Sequence, residues 1–184
     1  MAKMQYYVAA SLDGFIADAD DKMDWLLQFG YEAYEAHYNA FLAEVGALVM
    51  GSGTYQFILD EELQAWPYGD MPIWVLTSRE LPTAEGANIL FSSEAVEVVA
   101  ARALAAAEGK NVWIVGGGNV AAQFAANNLL DELIVSVMPI VLGSGTPLLP
   151  IGGTPLSLTH TDTTQFDSGA IGLTYRVEGA RSEV

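Results

Sequence analysis

Three short stretches carry the residues best suited to chemistry: Gly51-Ser52-Gly53-Thr54, Thr77-Ser78-Arg79 and Val115-Gly116-Gly117-Gly118-Asn119. Each closes an apolar run, "ALVM", "WVL" and "VWIV" respectively. Glycine permits backbone conformations and close approaches that a Cβ forbids. The first N–H groups of a helix lack intrahelical partners and sit at the positive end of its dipole. A strand–glycine–helix junction therefore suits an anion, above all the phosphates of a nucleotide. Ser52 and Thr54 add hydroxyls, and the fork of Arg79 suits a 2′-phosphate. Each stretch also has an ordinary reading: capping by Ser52 or Thr54, a solvated Arg79, a tight turn at the glycines. The spacing is not that of the Rossmann fold, since no GxGxxG follows the first strand and no acidic residue is placed to take a ribose.

The elements that must position these residues follow from periodicity and turn residues. Strands are expected at 5–10, 47–51, 72–78, 88–91, 112–115 and 132–141, with the turn "SLDG" and the short piece "FIA" after the first. From about Tyr31 to Val45, Tyr34, Tyr38, Phe41, Leu42 and Val45 recur at helical spacing. Further helices are expected over "SGTYQFILDEEL" from Ser52, over 93–109 with Ser93 and Gly109 as caps, and over 119–129. Alternating stretches within 156–166 and 170–179 predict a terminal hairpin. Strand–helix alternation followed by a hairpin implies an α/β domain over residues 1–184, with a mostly parallel central sheet flanked by helices and a C-terminal antiparallel hairpin. Ligands of such sheets sit beyond the carboxyl ends of the strands, where all three stretches lie. Their coincidence points to a nucleotide.

Composition narrows the function. The chain has 184 residues and a net charge of −16, seven Lys and Arg against 23 Asp and Glu. That balance argues against nucleic acid, which needs a basic face. A phosphate-rich ligand would be held mainly by backbone N–H groups and hydroxyls. No apolar run approaches the ~20 residues of a membrane span, and "MAKMQYYVAASLDG" lacks the pattern of a signal peptide. With no cysteine, disulfides and thiolate metal sites are excluded, and a cytoplasmic location is the expectation. "ELIVSVMPIV" and "GLTYRV" are apolar for the end of a sheet, which predicts a homodimer that covers them.

The stretches "AASLDGFIA", "ALVMGSGTY", "VLTSR", "VWIVGGGNVAAQF", "DELIVSVMPIVLGSGTPLL" and "GLTYRV" together resemble the dihydrofolate reductase-like superfamily. Within it they look like the reductase domain of bacterial riboflavin biosynthesis, the RibD C-terminal domain. The resemblance spans nearly the whole chain and implies an NADPH-dependent reductase that delivers hydride to a small pyrimidine- or pterin-like heterocycle. Reduction of 5-amino-6-(5-phosphoribosylamino)uracil is the riboflavin-pathway case. The resemblance also implies that Ala10 and Ile16 line the nicotinamide and its ribose. Gly51, Ser52, Gly53 and Thr54 would hold the pyrophosphate, and Thr77, Ser78 and Arg79 the adenosine end. Val115, Gly116, Gly117, Gly118 and Asn119 would cover the other side, with a cis bond between Gly116 and Gly117. Many relatives carry a basic residue where this chain has Ser52, and a bulkier one at Gly53.

Dihydrofolate reductases hold their substrate with an acidic residue on the first long helix. An ungapped alignment puts that role on Glu35, and a two-residue gap puts it on His37. Asp13 would touch substrate or order its loop, and Trp25 would form an aromatic wall or pack in the core. Riboflavin-pathway reductases usually carry a zinc deaminase domain, for which this cysteine-free chain has no ligands. Their phosphorylated substrate would also want cations, and the few here are scattered: Lys3, Lys22, Arg102, Lys110, Arg176 and Arg181. The alternative to a reductase is a nucleotide-binding or regulatory module with the same fold and no turnover.

Overall fold

The computed structural model describes residues 1–61, 65–153 and 155–180. Its strands are β1 (Met4–Ser11), β2 (Phe15–Ala17), β3 (Val45–Gly51), β4 (Pro72–Leu76), β5 (Asn88–Ser92), β6 (Asn111–Gly116), β7 (Glu132–Met138), β8 (Thr146–Pro147), β9 (Leu158–Gln165) and β10 (Ile171–Val177). The helices are α1 (Asp24–Leu27), α2 (Glu32–Ala43), α3 (Ser52–Asp60), α4 (Val96–Ala106) and α5 (Gly118–Ala126). Eight strands form one sheet in the order β5-β4-β3-β6-β1-β7-β10-β9. Pairing is parallel from β5 through β7, whereas β10 runs antiparallel to both β7 and β9. This is the α/β architecture that the alternation predicts.

Period-two alternation sends neighbouring side chains to opposite faces of each strand. Met4, Tyr6 and Ala10 of β1, Val112 and Ile114 of β6, and Leu133 and Val135 of β7 pack under α4 and α5. Trp113 and Val45, Leu48 and Met50 of β3 face the other way, under α2 and α3. A third cluster, Met138, Phe166 and Ala170, lies beside α1 with Trp25, Leu26 and Tyr34 packed on it.

Several expected boundaries change. The helix expected over 93–109 begins at Val96 with Ala95 as its N-cap and no side-chain cap, and Ser92 Oγ instead accepts from the Glu94 N–H. Gly109 does adopt a positive φ of 88° just past that helix. The strand expected to reach residue 141 stops at Met138, ahead of Pro139, and the strand expected to reach residue 78 stops at Leu76. The end expected for α3, at 62–63, lies outside the described residues. The apolar strands expected at an exposed edge, β7 and β10, are interior. The edge on that side is β9, whose "LTHTDTTQ" is almost wholly exposed, so the observation behind the homodimer expectation is removed.

Residues 139–149 lie against the chain that follows β1 and tie it down. Leu12 N–H donates to Ile140 O and Leu148 N–H to Gly14 O. Tyr6 Oη donates to Leu148 O at 3.1 Å, and β2 pairs with β8.

Candidate functional site

The three strand ends meet. Register pairs Met50 with Gly116 and Gly51 with Leu76, bringing the ends of β3, β4 and β6 side by side. α3 and α5 start directly from two of these ends, with Gly51 and Gly117 as extended N-caps and no side-chain cap on either. Their first-turn N–H groups are thus left without a capping side chain. Gly116 has φ 141° and is joined to Gly117 by a cis peptide bond, as the resemblance implied. Thr54 Oγ1 lies 3.5 Å from where a Gly116 Cβ would stand and 3.9 Å from the corresponding point on Gly117. The space beside Gly53 is open.

Arg79 brings the third end in. Its Nη2 donates to Ser52 Oγ at 2.9 Å, and its backbone N–H donates to Thr77 Oγ1 at 2.9 Å. Arg79 and Ser78 are exposed. Two uncapped helix starts, two hydroxyls and one guanidinium form a cradle whose donor chemistry fits a phosphorylated nucleotide. Gly118 has another task. A Cβ there would stand 2.3 Å from Pro147 O and 2.7 Å from Leu148 O, so this glycine admits the neighbouring backbone. Asn119 Oδ1 accepts from Gln123 Nε2 on its own helix at 2.8 Å. Val115 packs with the cluster under α2 and α3, Ala10 is buried under α4 and α5, and Ile16 is half-buried against that same cluster.

A separate cavity of about 250 Å³ opens on the α2 face. Its floor is Tyr7 and Ala9 of β1 with Ser136 and Met138 of β7. Its other wall comes from Leu26, Leu27, Gly30, Tyr31, Tyr34 and Tyr38. None of the twelve residues of α2 is fully buried, and two of them, Tyr34 and Tyr38, line the cavity. The Tyr7 ring stacks on Phe41 at 4.3 Å, and its hydroxyl lies 3.0 Å from His37 Nδ1. Burial pushes the Tyr7 hydroxyl up to about 12. Burial likewise lowers the His37 pKa from the usual 6.5, with Asp162 opposing.

The other expected site residues lie elsewhere. Glu35 is exposed and outside the cavity lining. Asp13 accepts from Ser11 Oγ at 2.6 Å and from the N–H groups of Leu142 and Gly143 at 3.1 and 2.7 Å. Those bonds, the Ser11 one first, hold its carboxyl below the ordinary range, and they pin the loop. Trp25 packs with Met138, Phe166 and Ala170, and its buried Nε1 has no hydrogen-bond partner among the described residues. Sequence reasoning missed the cavity tyrosines as a site. Tyr31, Tyr34 and Tyr38 fall at i, i+3 and i+7, and the signal was a helix stripe of tyrosines where a plain core stripe would use leucine.

Among the described residues, no helix is long and apolar enough to cross a membrane. The family model for the RibD C-terminal domain matches residues 2–171. The uncharacterized protein YwjB of Bacillus subtilis is 34% identical over 146 residues, covering 79% of this chain and 82% of that protein. A Shewanella sp. PV-4 crystal structure, named for riboflavin biosynthesis, superposes with a TM-score of 0.80 at 28% identity, covering 97% of this chain and 99% of the other. Dihydrofolate reductase of Enterococcus faecalis, solved with NADP(H), shares the fold with a TM-score of 0.63, at 20% identity and 96% coverage of both chains.

Proposed function

The chain belongs to the RibD C-terminal domain family, and from that premise we propose that it is an NADPH-dependent reductase of a small pyrimidine- or pterin-like heterocycle. The observation that carries this reading is the convergence of three strand ends on one cradle, in a sheet whose neighbouring strands β1 and β7 floor an aromatic cavity. The N–H groups that start α3 and α5, with the Ser52 and Thr54 hydroxyls, take the pyrophosphate. Arg79 and Ser78 take the 2′-phosphate, and half-buried Ile16 flanks the nicotinamide, whereas the Ala10 side chain is committed to the core under α4 and α5. When bound, the cofactor supplies a hydride to an electrophilic carbon of the substrate.

The protein's own task is to hold the substrate and complete the reduction with one proton. Tyr7 lines the cavity, and its hydroxyl stays protonated across the physiological range. It gives its proton to the substrate heteroatom and regains one from His37 Nδ1, 3.0 Å away, which is replenished from solvent. The contact with Tyr7 supports His37 over Glu35 for this role, since Glu35 is exposed and outside the lining.

The test is fluorescence titration with NADPH and NADH, followed by NADPH oxidation against a panel of pyrimidines and pterins. Preferential NADPH binding with turnover of one member is expected. Preferential binding with no turnover across the panel would make the protein a nucleotide-binding module. Equal affinity for the two cofactors would remove the 2′-phosphate assignment.

A further inference from the structure

Resting on the reductase reading, and deepening it, we propose that the substrate is a small, uncharged, planar heterocycle that carries no phosphate. This separates the chain from a neighbour of the same fold, the Thermotoga maritima enzyme named for 5-amino-6-(5-phosphoribosylamino)uracil.

The cavity lining contains no charged residue, and four of its ten members are tyrosines. None of the described lysines and arginines lines the cavity. Lys3 pairs with Glu132, Arg102 with Glu94 and Arg176 with Glu178. Lys110 donates to Ala43 O, and Arg79 belongs to the cradle. Lys22 is exposed in a loop with Asp18, Asp20 and Asp21, two residues before Asp24. Arg181 lies outside the described residues. A phosphate in the cavity would therefore be desolvated with no lysine or arginine in the lining to pair with it.

The groups that are present suit a neutral ring. Tyr7 Oη is paired with His37 and Tyr34 Oη with Ser168. Tyr31, Tyr38 and Ser136 line the same space, and their hydroxyls make no hydrogen bond among the described residues. A hydroxyl both donates and accepts, which matches the alternating N–H and C=O edge of a uracil or pterin. At about 250 Å³ the cavity falls below the usual ~300–1,000 Å³ of ligand sites, enough for one or two fused rings with little appended.

Equilibrium dialysis of the full chain, without cofactor, tests this with three probes: pterin, 5-amino-6-(ribosylamino)uracil and the 5′-phosphate of the latter. Pterin or the unphosphorylated uracil should bind at least tenfold more tightly than the phosphate ester at low salt. Tyr31→Arg, a change at a residue 57% exposed on the rim, should shrink that ratio by adding the missing cation. A phosphate ester that binds as tightly as its parent, no binding by any probe, or a ratio unmoved by Tyr31→Arg would overturn the proposal. Binding without NADPH oxidation would instead defeat the reductase reading and leave the substrate class standing. Oxidation that favours the phosphate ester would do the reverse.

Discussion

The cradle and the cavity are built from opposite materials. The cradle is largely backbone: three strand ends, two helix starts and glycines, with a few hydroxyls and one arginine at its rim. The cavity is almost all side chain, an aromatic space under a helix with no fully buried residue. Backbone recognition demands glycine and short polar residues at fixed points along the chain, so it is written as local motifs. Side-chain recognition draws on residues far apart in sequence that look like core.

The largest expected effect lies on the cavity side. Tyr7→Phe keeps the ring stacked on Phe41 and removes the hydroxyl that faces His37. Loss of a positioned acid costs about 10²-fold or more in rate, so steady-state turnover should fall by that factor with NADPH affinity unchanged. Equal loss of both would dissolve the division of labour. Turnover of the wild type should also decline as pH rises through the His37 pKa, which lies below 6.5, and His37→Ala should flatten that profile.

Gly118→Ala probes whether a cradle glycine serves ligand or packing. Its Cβ would meet two carbonyl oxygens of 147–148, and overpacking of this kind costs about 3 kcal/mol at its upper end. Urea denaturation should show that loss. An unchanged midpoint would return Gly118 to the ligand. Arg79→Ala should weaken NADPH about tenfold to a hundredfold, the range of a charge-assisted contact of about 1.5–3 kcal/mol. NADH affinity should hold, and calorimetric titration of both cofactors checks the contrast.

A smaller effect comes from His37 in folding. Its folded pKa is depressed by burial, so the unfolded chain binds more protons between that value and about 6.5. Stability is therefore full above pH 6.5 and is lost as pH falls through the folded pKa. Denaturation midpoints across that window should fall with pH in the wild type, and His37→Gln should be flatter. The smallest effect is at Gly53, a helical position with nothing within 4 Å of its missing Cβ. Gly53→Ala should raise stability by up to about 1 kcal/mol; a drop in thermal midpoint would mean that the cradle is more crowded than its geometry shows.

The legibility of the sequence follows the same division. Strand–helix alternation predicts the sheet and its parallel core, and "VWIVGGGN" and "VMGSGTY" predict where the ends converge. Pairing order lies beyond local pattern, so β7 and β10 read as edges although β10 covers β7 and β9 covers β10. Ser93 looked like a cap because Ser caps helices well, yet α4 starts at Val96 after the bend at 93–95. Glu35 and His37 could not be ranked from spacing, because two residues along a helix face different surroundings. Only tertiary packing sets His37 against Tyr7 and Phe166. Gly118 shows what a motif leaves out: its missing Cβ makes room for the backbone of 147–148, a packing demand that the glycine run does not announce.

Six of the ten cavity residues come from one uninterrupted run, Leu26 to Tyr38, while every cradle residue lies outside it. Descent and laboratory recombination can therefore treat that run as an exchangeable cassette. On the reductase reading, a homologous insert would change which molecule is accepted and leave the cradle residues untouched. A family built this way can diversify in diet without re-inventing its engine.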